Sequence, residues 1–348
     1  MEKRQFLSEL RRDLVTGDWV LIAKGRAKRP NVFADLKKEK FSQPIRLCPF
    51  EAPQKSGNLD PLLVYDRKGR RKIFSEWKDN PTDWFLQVLP NKFPAIGQGV
   101  CEDTHEVGPY LVMDGVGSHE VVITRNHTKH PGYFSGEEMN LLVGAYKERY
   151  LALMTRECVK YISIFHNNGR AAGASLSHPH SQIMAIPIVP LDIRRSLGGS
   201  EKYYQNHKKC VHCVMLEWEI TDRKRIIFEN ELAIAFCPFI SRAAFEIKIF
   251  PKIHQSYFEK INENELKMFS EVLRISLAKL RCGLNDPDYN FYIHTAPVKD
   301  EVDWHHYHWH VEILPKTGVW AGFELGTGIE ISTIEPEKAA EYLRKVKV

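Results

Sequence analysis

Long apolar runs are missing from this chain, and those present are too short and too interrupted to cross a bilayer. No membrane partner is therefore expected. Charge of one sign is scarce as well. The 348 residues carry a formal net charge of +5, an excess that suits a pocket for anionic phosphates but falls short of a nucleic-acid footprint. Cysteine is sparse: seven residues, an odd number at uneven spacing, do not read as a disulfide framework. Nothing near Met1 resembles a secretion signal, because Glu2, Lys3 and Arg4 lead into a mixed polar stretch; a cytoplasmic location is expected. There is no GxGxxG turn, no Walker loop and no alternation of strands with helices, which disfavours dinucleotide-binding and P-loop folds.

What is present is an ordinary soluble composition, 43% hydrophobic and 27% charged, long enough for one large domain or two of about 150 residues. Within it lies a repeat. In the first half a strand-like run from Glu120 to Thr124 leads to His127, and eight residues later Ser135 opens Ser-Gly-Glu-Glu, a capping-box signal. Leu141, Leu142, Ala145, Tyr146 and Leu153 then recur at helical spacing. A strand from Tyr161 to Phe165 and a Gly-rich loop lead to His178-Pro179-His180.

The second half repeats the order. A run from Phe245 to Phe250 leads to His254, Asn262 opens Asn-Glu-Asn-Glu, and Leu266, Phe269, Leu273 and Leu277 mark a helix. A strand from Tyr289 to Ile293 and then His308-Trp309-His310 follow. His127 precedes His178 by 51 residues, and His254 precedes His308 by 54. Each half also begins with a short cysteine motif, Cys48-Pro49-Phe50-Glu51 and Cys210-Val211-His212-Cys213. Strands, a helix and further strands argue an α+β fold of antiparallel sheets, each with a helix packed on it. The small-residue stretch Leu197-Gly198-Gly199-Ser200 places the boundary between residues 1–197 and 198–348.

Residues two apart in a strand share a face. His178, His180 and Gln182 are thus expected on one face, with Pro179 and Ser181 behind, and Pro179 confines the segment to a strand start or an edge. By the same rule His306, His308, His310 and Glu312 share a face opposite Tyr307, Trp309 and Val311. A lone histidine in a strand is more often structural; a duplicated pair beside a Gly/Ser loop points to ligation or catalysis. A neutral imidazole is a good nucleophile near pH 7 and can carry a phosphoryl group on nitrogen. The charge that spreads over phosphate oxygens then needs fixed donors. Asn167 to Ser175, with Gly169 and Gly173, offers amides, a hydroxyl and closely approachable backbone.

Phe165-His166-Asn167-Asn168-Gly169, followed by Gly173-Ala174-Ser175-Leu176-Ser177-His178-Pro179-His180-Ser181-Gln182, resembles the active-site signature of the galactose-1-phosphate uridylyltransferase family, of the histidine-triad superfamily. Arg26-Ala27-Lys28-Arg29-Pro30, Pro90-Asn91-Lys92-Phe93-Pro94 and Gly322-Phe323-Glu324 resemble its other motifs, so the likeness spans nearly the whole chain. It implies two duplicated histidine-triad-like halves, with the catalytic one first. It implies His180 as nucleophile, Gln182 as stabiliser of a nucleotidyl-histidine, and Asn167, Gly173 and Ser175 on the phosphates. Arg26 and Arg29 add positive charge, Asn91 contacts the nucleotide, and Glu324 binds sugar hydroxyls across a homodimer interface. The implied reaction is ping-pong transfer between UDP-glucose and a hexose 1-phosphate such as galactose 1-phosphate. The run Gly326-Thr327-Gly328 also resembles the related branch that uses ADP-glucose and inorganic phosphate. A histidine-triad hydrolase, which the segment Ile247 to His254 resembles, and a nucleotide-binding protein without turnover stand as further readings.

Two metal sets accompany the histidines. Cys210, Cys213, His254 and His308 form a Cys₂His₂ set of the kind that holds structural zinc, with no position left for substrate. Cys48, Glu51, His127 and His178 form the first-half set. The family usually has a second cysteine where this chain has Glu51, so three outcomes stand for this site: zinc or a harder metal such as iron, weak binding, or no metal. Cys101, Cys158, Cys237 and Cys282 read as plain core thiols, and His119, His130, His305 and His306 as ordinary polar residues.

Overall fold

The computed structural model describes residues 8–24, 41–72, 83–101, 104–298 and 303–348. Arg26 and Arg29 lie outside the described residues. The described chain opens on a hairpin, β1 (Glu9–Arg12) and β2 (Trp19–Ile22). Next come β3 (Leu63–Tyr65) and β4 (Leu86–Pro90), an outlying hairpin of β5 (His105–Val107) and β6 (Tyr110–Val112), and then β7 (Ser118–Thr124). Helix α1 (Gly136–Leu153) leads to β8 (Tyr161–Asn168) and β9 (His180–Ile186). Helices α2 (Leu191–His207) and α3 (Val211–Asp222) precede β10 (Ile226–Glu229), β11 (Ala233–Phe236) and β12 (Ile247–Pro251). Helix α4 (Glu263–Gly283), β13 (Tyr289–His294) and β14 (His310–Pro315) follow. A tail of α5 (Gly322–Thr327), β15 (Ile331–Ser332) and α6 (Pro336–Lys345) returns to the hairpin, where β15 runs parallel to β2.

Ten strands form one sheet in the order β10-β11-β12-β14-β13-β8-β9-β7-β4-β3, antiparallel at every step. In each half the five strands lie first-second-third-fifth-fourth. The halves meet where β8 pairs with β13, Phe291 opposite His166 and Asn290 opposite Asn167. The α+β architecture is thus as expected, but the two expected sheets are one.

Both long helices begin as their sequences dictate. Ser135 accepts the Glu138 N–H while Glu138 reaches back to Ser135, and Asn262 and Glu265 do the same. Such boxes satisfy amides that a helix start would otherwise leave without partners. Leu142, Tyr146 and Tyr150 of α1 and Phe269, Leu273 and Leu277 of α4 pack on one face of the sheet, against Ile164, Ile183, Phe291, Val311 and Ile313. Each such side chain stabilises the fold by about 1.5–3 kcal/mol on burial. With that face filled, the opposite face is left for chemistry.

Leu197-Gly198-Gly199-Ser200, where the boundary was expected, lies within α2, and Gly199 sits so close to the Val15 carbonyl that a side chain would collide with it. Two expectations fail. Cys101 and Cys158 are not free thiols; they form a disulfide with Cα atoms 5.5 Å apart. Cys237 is buried as expected, whereas Cys282 is exposed. No helix among the described residues is long and apolar enough to cross a membrane.

Candidate active site and metal centres

Strand β9 starts at His180, immediately after Pro179, so the proline occupies the position where a missing N–H costs least. The alternation along β9 is as expected. Ser181 turns to the helical face, where its hydroxyl meets the Tyr146 hydroxyl at 2.5 Å and His166 Nδ1 at 2.9 Å. His180 and Gln182 therefore face the other side. His180 is 7% exposed and rests against the edge of the Phe50 ring, 5.4 Å between centroids. Its Nδ1–H donates to the His178 carbonyl at 3.0 Å. Among the described residues no hydrogen bond takes Nε2. Burial holds the imidazole below its ordinary pKa, so the ring is neutral with Nε2 as its lone-pair nitrogen.

Around it the structure gathers most of the residues singled out by sequence. Phe165 pairs with Gln182 across β8 and β9, and Asn167 follows on the same face two places on. Gly169 and Gly173, at φ +84° and +88°, turn the chain into the loop that carries Ser175. That backbone region suits glycine, and at Gly169 the Asp288 carboxylate fills the space a Cβ would need. Gly173 and Ser175 are exposed. Asn91, at the end of β4, places Nδ2 3.1 Å from His119 Nε2, and the same ring nitrogen lies 2.8 Å from Gln182 Oε1. Glu324 lies at the start of α5, its carboxylate accepting the Ala321 N–H at 3.0 Å. Among the described residues no contact joins Glu324 to the His180 group.

Cys48, Glu51, His127 and His178 converge, each offering a ligand atom within 4.8 Å of the others. Cys48 Sγ is 3.5 Å and Glu51 Oε1 3.5 Å from His178 Nδ1, and Glu51 Oε1 is 2.9 Å from His127 Nδ1. The remaining ring nitrogens are engaged: His178 Nε2–H donates to the Thr124 carbonyl at 2.7 Å and His127 Nε2–H to the Gln43 carbonyl at 3.2 Å. Those bonds leave both Nδ1 lone pairs aimed inward, as metal ligation requires. Burial pushes the Cys48 thiol up and lowers His178 to about 4. Burial also works to raise Glu51, yet Arg125 at 2.9 Å and His127 hold its carboxyl below the usual range.

The second set also converges. Cys213 Sγ lies 3.2 Å from His254 Nδ1 and 3.7 Å from His308 Nδ1, and His254 Nε2–H donates to the His305 carbonyl at 2.8 Å. Cys213, with help from His254, draws the Cys210 thiol down to about 5. A thiolate-prone Cys210 beside Cys213, with two inward imidazoles, is the donor chemistry of zinc. His310 follows as His180 follows His178, its Nδ1–H donating to the His308 carbonyl at 3.1 Å. The strand itself begins only at His310, so His306 and His308 precede it.

Several site neighbours escaped the sequence reading. Gln43 clamps the Ser177 segment from both sides, its N–H on Ser177 Oγ and its Oε1 accepting the Ser177 N–H. Arg125 holds Glu51. Arg242 and Lys248 pair with Glu312, beside a cavity of about 780 Å³ lined by Asn167, Asn290, Tyr292 and His310 among others. His119, set aside as ordinary, touches both Asn91 and Gln182. Arg125, two residues before His127, was open to the same alternation argument as the histidines; the others depend on long-range pairing that local patterns do not carry.

Comparison with known proteins agrees with this layout. Residues 105–346 match a family described as a domain of unknown function, DUF4921. An ADP-glucose phosphorylase of Arabidopsis thaliana is 32% identical over 344 residues, 98% of this chain and 93% of that protein. A galactose-1-phosphate uridylyltransferase of Thermotoga maritima is 31% identical over 353 residues, 98% of this chain and 99% of the other. The crystal structure of an ADP-glucose phosphorylase from Arabidopsis thaliana with bound ADP-glucose superposes with a TM-score of 0.78 at 29% identity, covering 98% of this chain and 100% of that one. A uridylyltransferase structure gives 0.72 at 27% identity and covers 97% of each.

Proposed function

Because the chain belongs to the galactose-1-phosphate uridylyltransferase family, we propose that it transfers a nucleoside monophosphate between sugar phosphates through His180. A nucleotide sugar binds with its α-phosphorus in line with His180 Nε2. The N–P bond forms as the bond from that phosphorus to the bridging oxygen breaks, and hexose 1-phosphate leaves with the oxygen. A phosphate oxygen of the acceptor then attacks, and the imidazole is regenerated. The observation that carries this is the division of labour on His180: Nδ1 is tied to the His178 carbonyl, and among the described residues no hydrogen bond takes Nε2.

Gln182 steadies the charged intermediate, and Asn167, Gly173 and Ser175 hold the phosphates. Asn91 meets the nucleotide, and Arg26 and Arg29 add positive charge. Glu324 binds sugar hydroxyls of the partner's substrate in a homodimer, which accounts for its separation from His180 within one chain. Residues 1–197 carry the catalysis and 198–348 the matching second unit. Zinc suits Cys210, Cys213, His254 and His308; zinc or iron suits Cys48, Glu51, His127 and His178. A metal at the first set pins His178 and preorganises the ring that donates to its carbonyl, without touching substrate. The setting is cytoplasmic.

UDP-glucose and a hexose 1-phosphate are the substrates of the main reading. The Arabidopsis relative favours a second, ADP-glucose with inorganic phosphate as acceptor. Each nucleotide sugar, radiolabelled at the α-phosphorus and mixed with excess protein, decides between them. The expected product is an acid-labile, base-stable label on the protein from one of the two, discharged by its acceptor. No label from either, or release to water alone, overturns the transferase reading.

A further inference from the structure

An amide side chain beside a phosphate can do opposite things. Its NH₂ attracts phosphate oxygens; turned by 180°, its oxygen repels them. Gln182 and Asn167 are two amides on the His180 face, and each has its oxygen taken by a neighbour to which no role has been given.

At Gln182 the neighbour is His119 on β7. The backbone N–H of Ala95 donates to His119 Nδ1 at 3.1 Å. That nitrogen is therefore the acceptor of the ring, and the proton sits on Nε2. Nε2–H points at Gln182 Oε1 at 2.8 Å. His119 reaches Gln182 because β7 pairs with β9 so that Val121 opposes Gln182, and His119 shares the face of Val121 two residues away. At Asn167 the neighbour is Asn290, directly opposite on β13. Its Nδ2 donates to Asn167 Oδ1 and to the Ala172 carbonyl of the phosphate loop, both at 2.7 Å. Next to it, Asp288 accepts the Ala171 N–H of the same loop at 2.8 Å. In both places a donor holds the amide oxygen, and what remains for a ligand is N–H.

We propose that His119 and Asn290 are positioning residues which lock the Gln182 and Asn167 amides with their N–H groups toward the transferred phosphate. The inference rests on the reading of His180 as nucleophile and adds two residues to it. It also gives the second half a part in the reaction, since Asn290 comes from β13. Donors fixed before the reaction need no reorganisation while charge develops. An unlocked amide samples both orientations, and the wrong one replaces an attraction with a repulsion.

The test is single-turnover labelling of the full chain with UDP-glucose and with ADP-glucose, together with thermal melting. His119→Phe keeps a ring without the donor, and His119→Gln restores an N–H near the position of Nε2. Asn290→Asp is nearly isosteric but offers only acceptors, which turns Asn167 around. His119→Phe and Asn290→Asp are each expected to slow labelling at saturating substrate by about 10- to 100-fold, less than the roughly 100- to 1000-fold from losing a transition-state donor outright. KM should change by less than about threefold and melting little. His119→Gln should recover to within a few-fold of wild type. On a Gln182→Ala background His119→Phe should cost no more than about twofold, and Asn290→Asp likewise on Asn167→Ala, because each acts through its amide. Additive losses in those cycles, or single variants that label like wild type, overturn the inference while the transferase stands. A wild-type protein that takes no label overturns both.

Discussion

The two histidine-pair strands place the same atoms on nearly the same backbone, yet under the proposed mechanism only one presents a nucleophile. In both, the second imidazole donates Nδ1–H to the carbonyl of the first, at 3.0 Å for His180 and 3.1 Å for His310. The difference lies two residues further on. Gln182 is a neutral amide locked by His119, whereas Glu312 is a buried carboxylate 3.4 Å from His310 Nε2. Arg242 and Lys248 flank Glu312, the latter at 2.7 Å, and Tyr292 donates to it at 2.8 Å. Those cations keep the Glu312 carboxyl charged against the burial that would raise it. A phosphate dianion meets donors in the first half and a fixed negative charge in the second. Under the proposed mechanism one side chain on the same face, Gln182 or Glu312, enables or silences the nitrogen.

The metal sets differ in the same direction. The second offers two thiols and two imidazoles; the first replaces a thiol with Glu51, which already has Arg125 and His127 as partners. The largest effect should come from breaking the second set. Cys213→Ala is expected to cost more than about 5 kcal/mol, since binding free energy at a structural zinc is folding free energy. Cys48→Ala should cost clearly less. Melting curves with and without a chelator check this, and equal losses would erase the distinction between the sites.

Next come the imidazoles. His180→Gly should reduce labelling of the protein by at least about 1000-fold, about 4 kcal/mol of activation free energy, and His310→Gly should leave the label on the chain. Loss of label in both would make the second strand a participant. Exchanging the neighbours sharpens the point. Glu312→Gln leaves Arg242 and Lys248 without their shared carboxylate, at about 3 kcal/mol of stability by denaturant titration, and gives His310 no label. Gln182→Glu should slow labelling by about 100-fold with melting little changed, because a donor becomes a negative charge. A Gln182→Glu protein that labels normally would remove the side-chain difference as the explanation.

Sequence patterns made much of this legible because the signals are local. The two capping boxes, the helical spacing from Leu266 to Leu277 and the alternation of His180, Ser181 and Gln182 depend on neighbours within a few residues, and the structure has each. The pairing of β8 with β13 was not legible, since Ile164 and Ile293 look like any buried strand residues until register brings them together. The same limit hid His119 and Asn290, whose importance is a matter of what lies opposite. Leu197 to Ser200 read as a break because of its two adjacent glycines, but the stretch is helical, and close packing on Val15 calls for glycine at position 199. Cys101 and Cys158 stand 57 positions apart, a separation that pairing statistics cannot read.

The smallest effect lies in the short turns that precede the two long helices. In the first half that turn is Pro131–Tyr133; in the second it is Phe258–Lys260, with Glu259 buried in its middle. Burial raises the Glu259 carboxyl from 4.5 to about 6, with only its own backbone and Lys260 opposing. Between those values the folded chain keeps a proton that the unfolded chain has released. The favourable protonated form is therefore fully present below pH 4.5 and is lost as pH rises through 6. Above that, stability should be lower by about 2 kcal/mol, the equivalent of 1.5 pKa units. Glu259→Gln keeps the shape and cannot ionise, so it should melt close to wild type at pH 4.5 and several degrees higher at pH 8. The first half has no carboxylate in its turn to behave this way. A constant difference between the two proteins across that range would mean that Glu259 reaches solvent, and that the two turns do not differ in this respect.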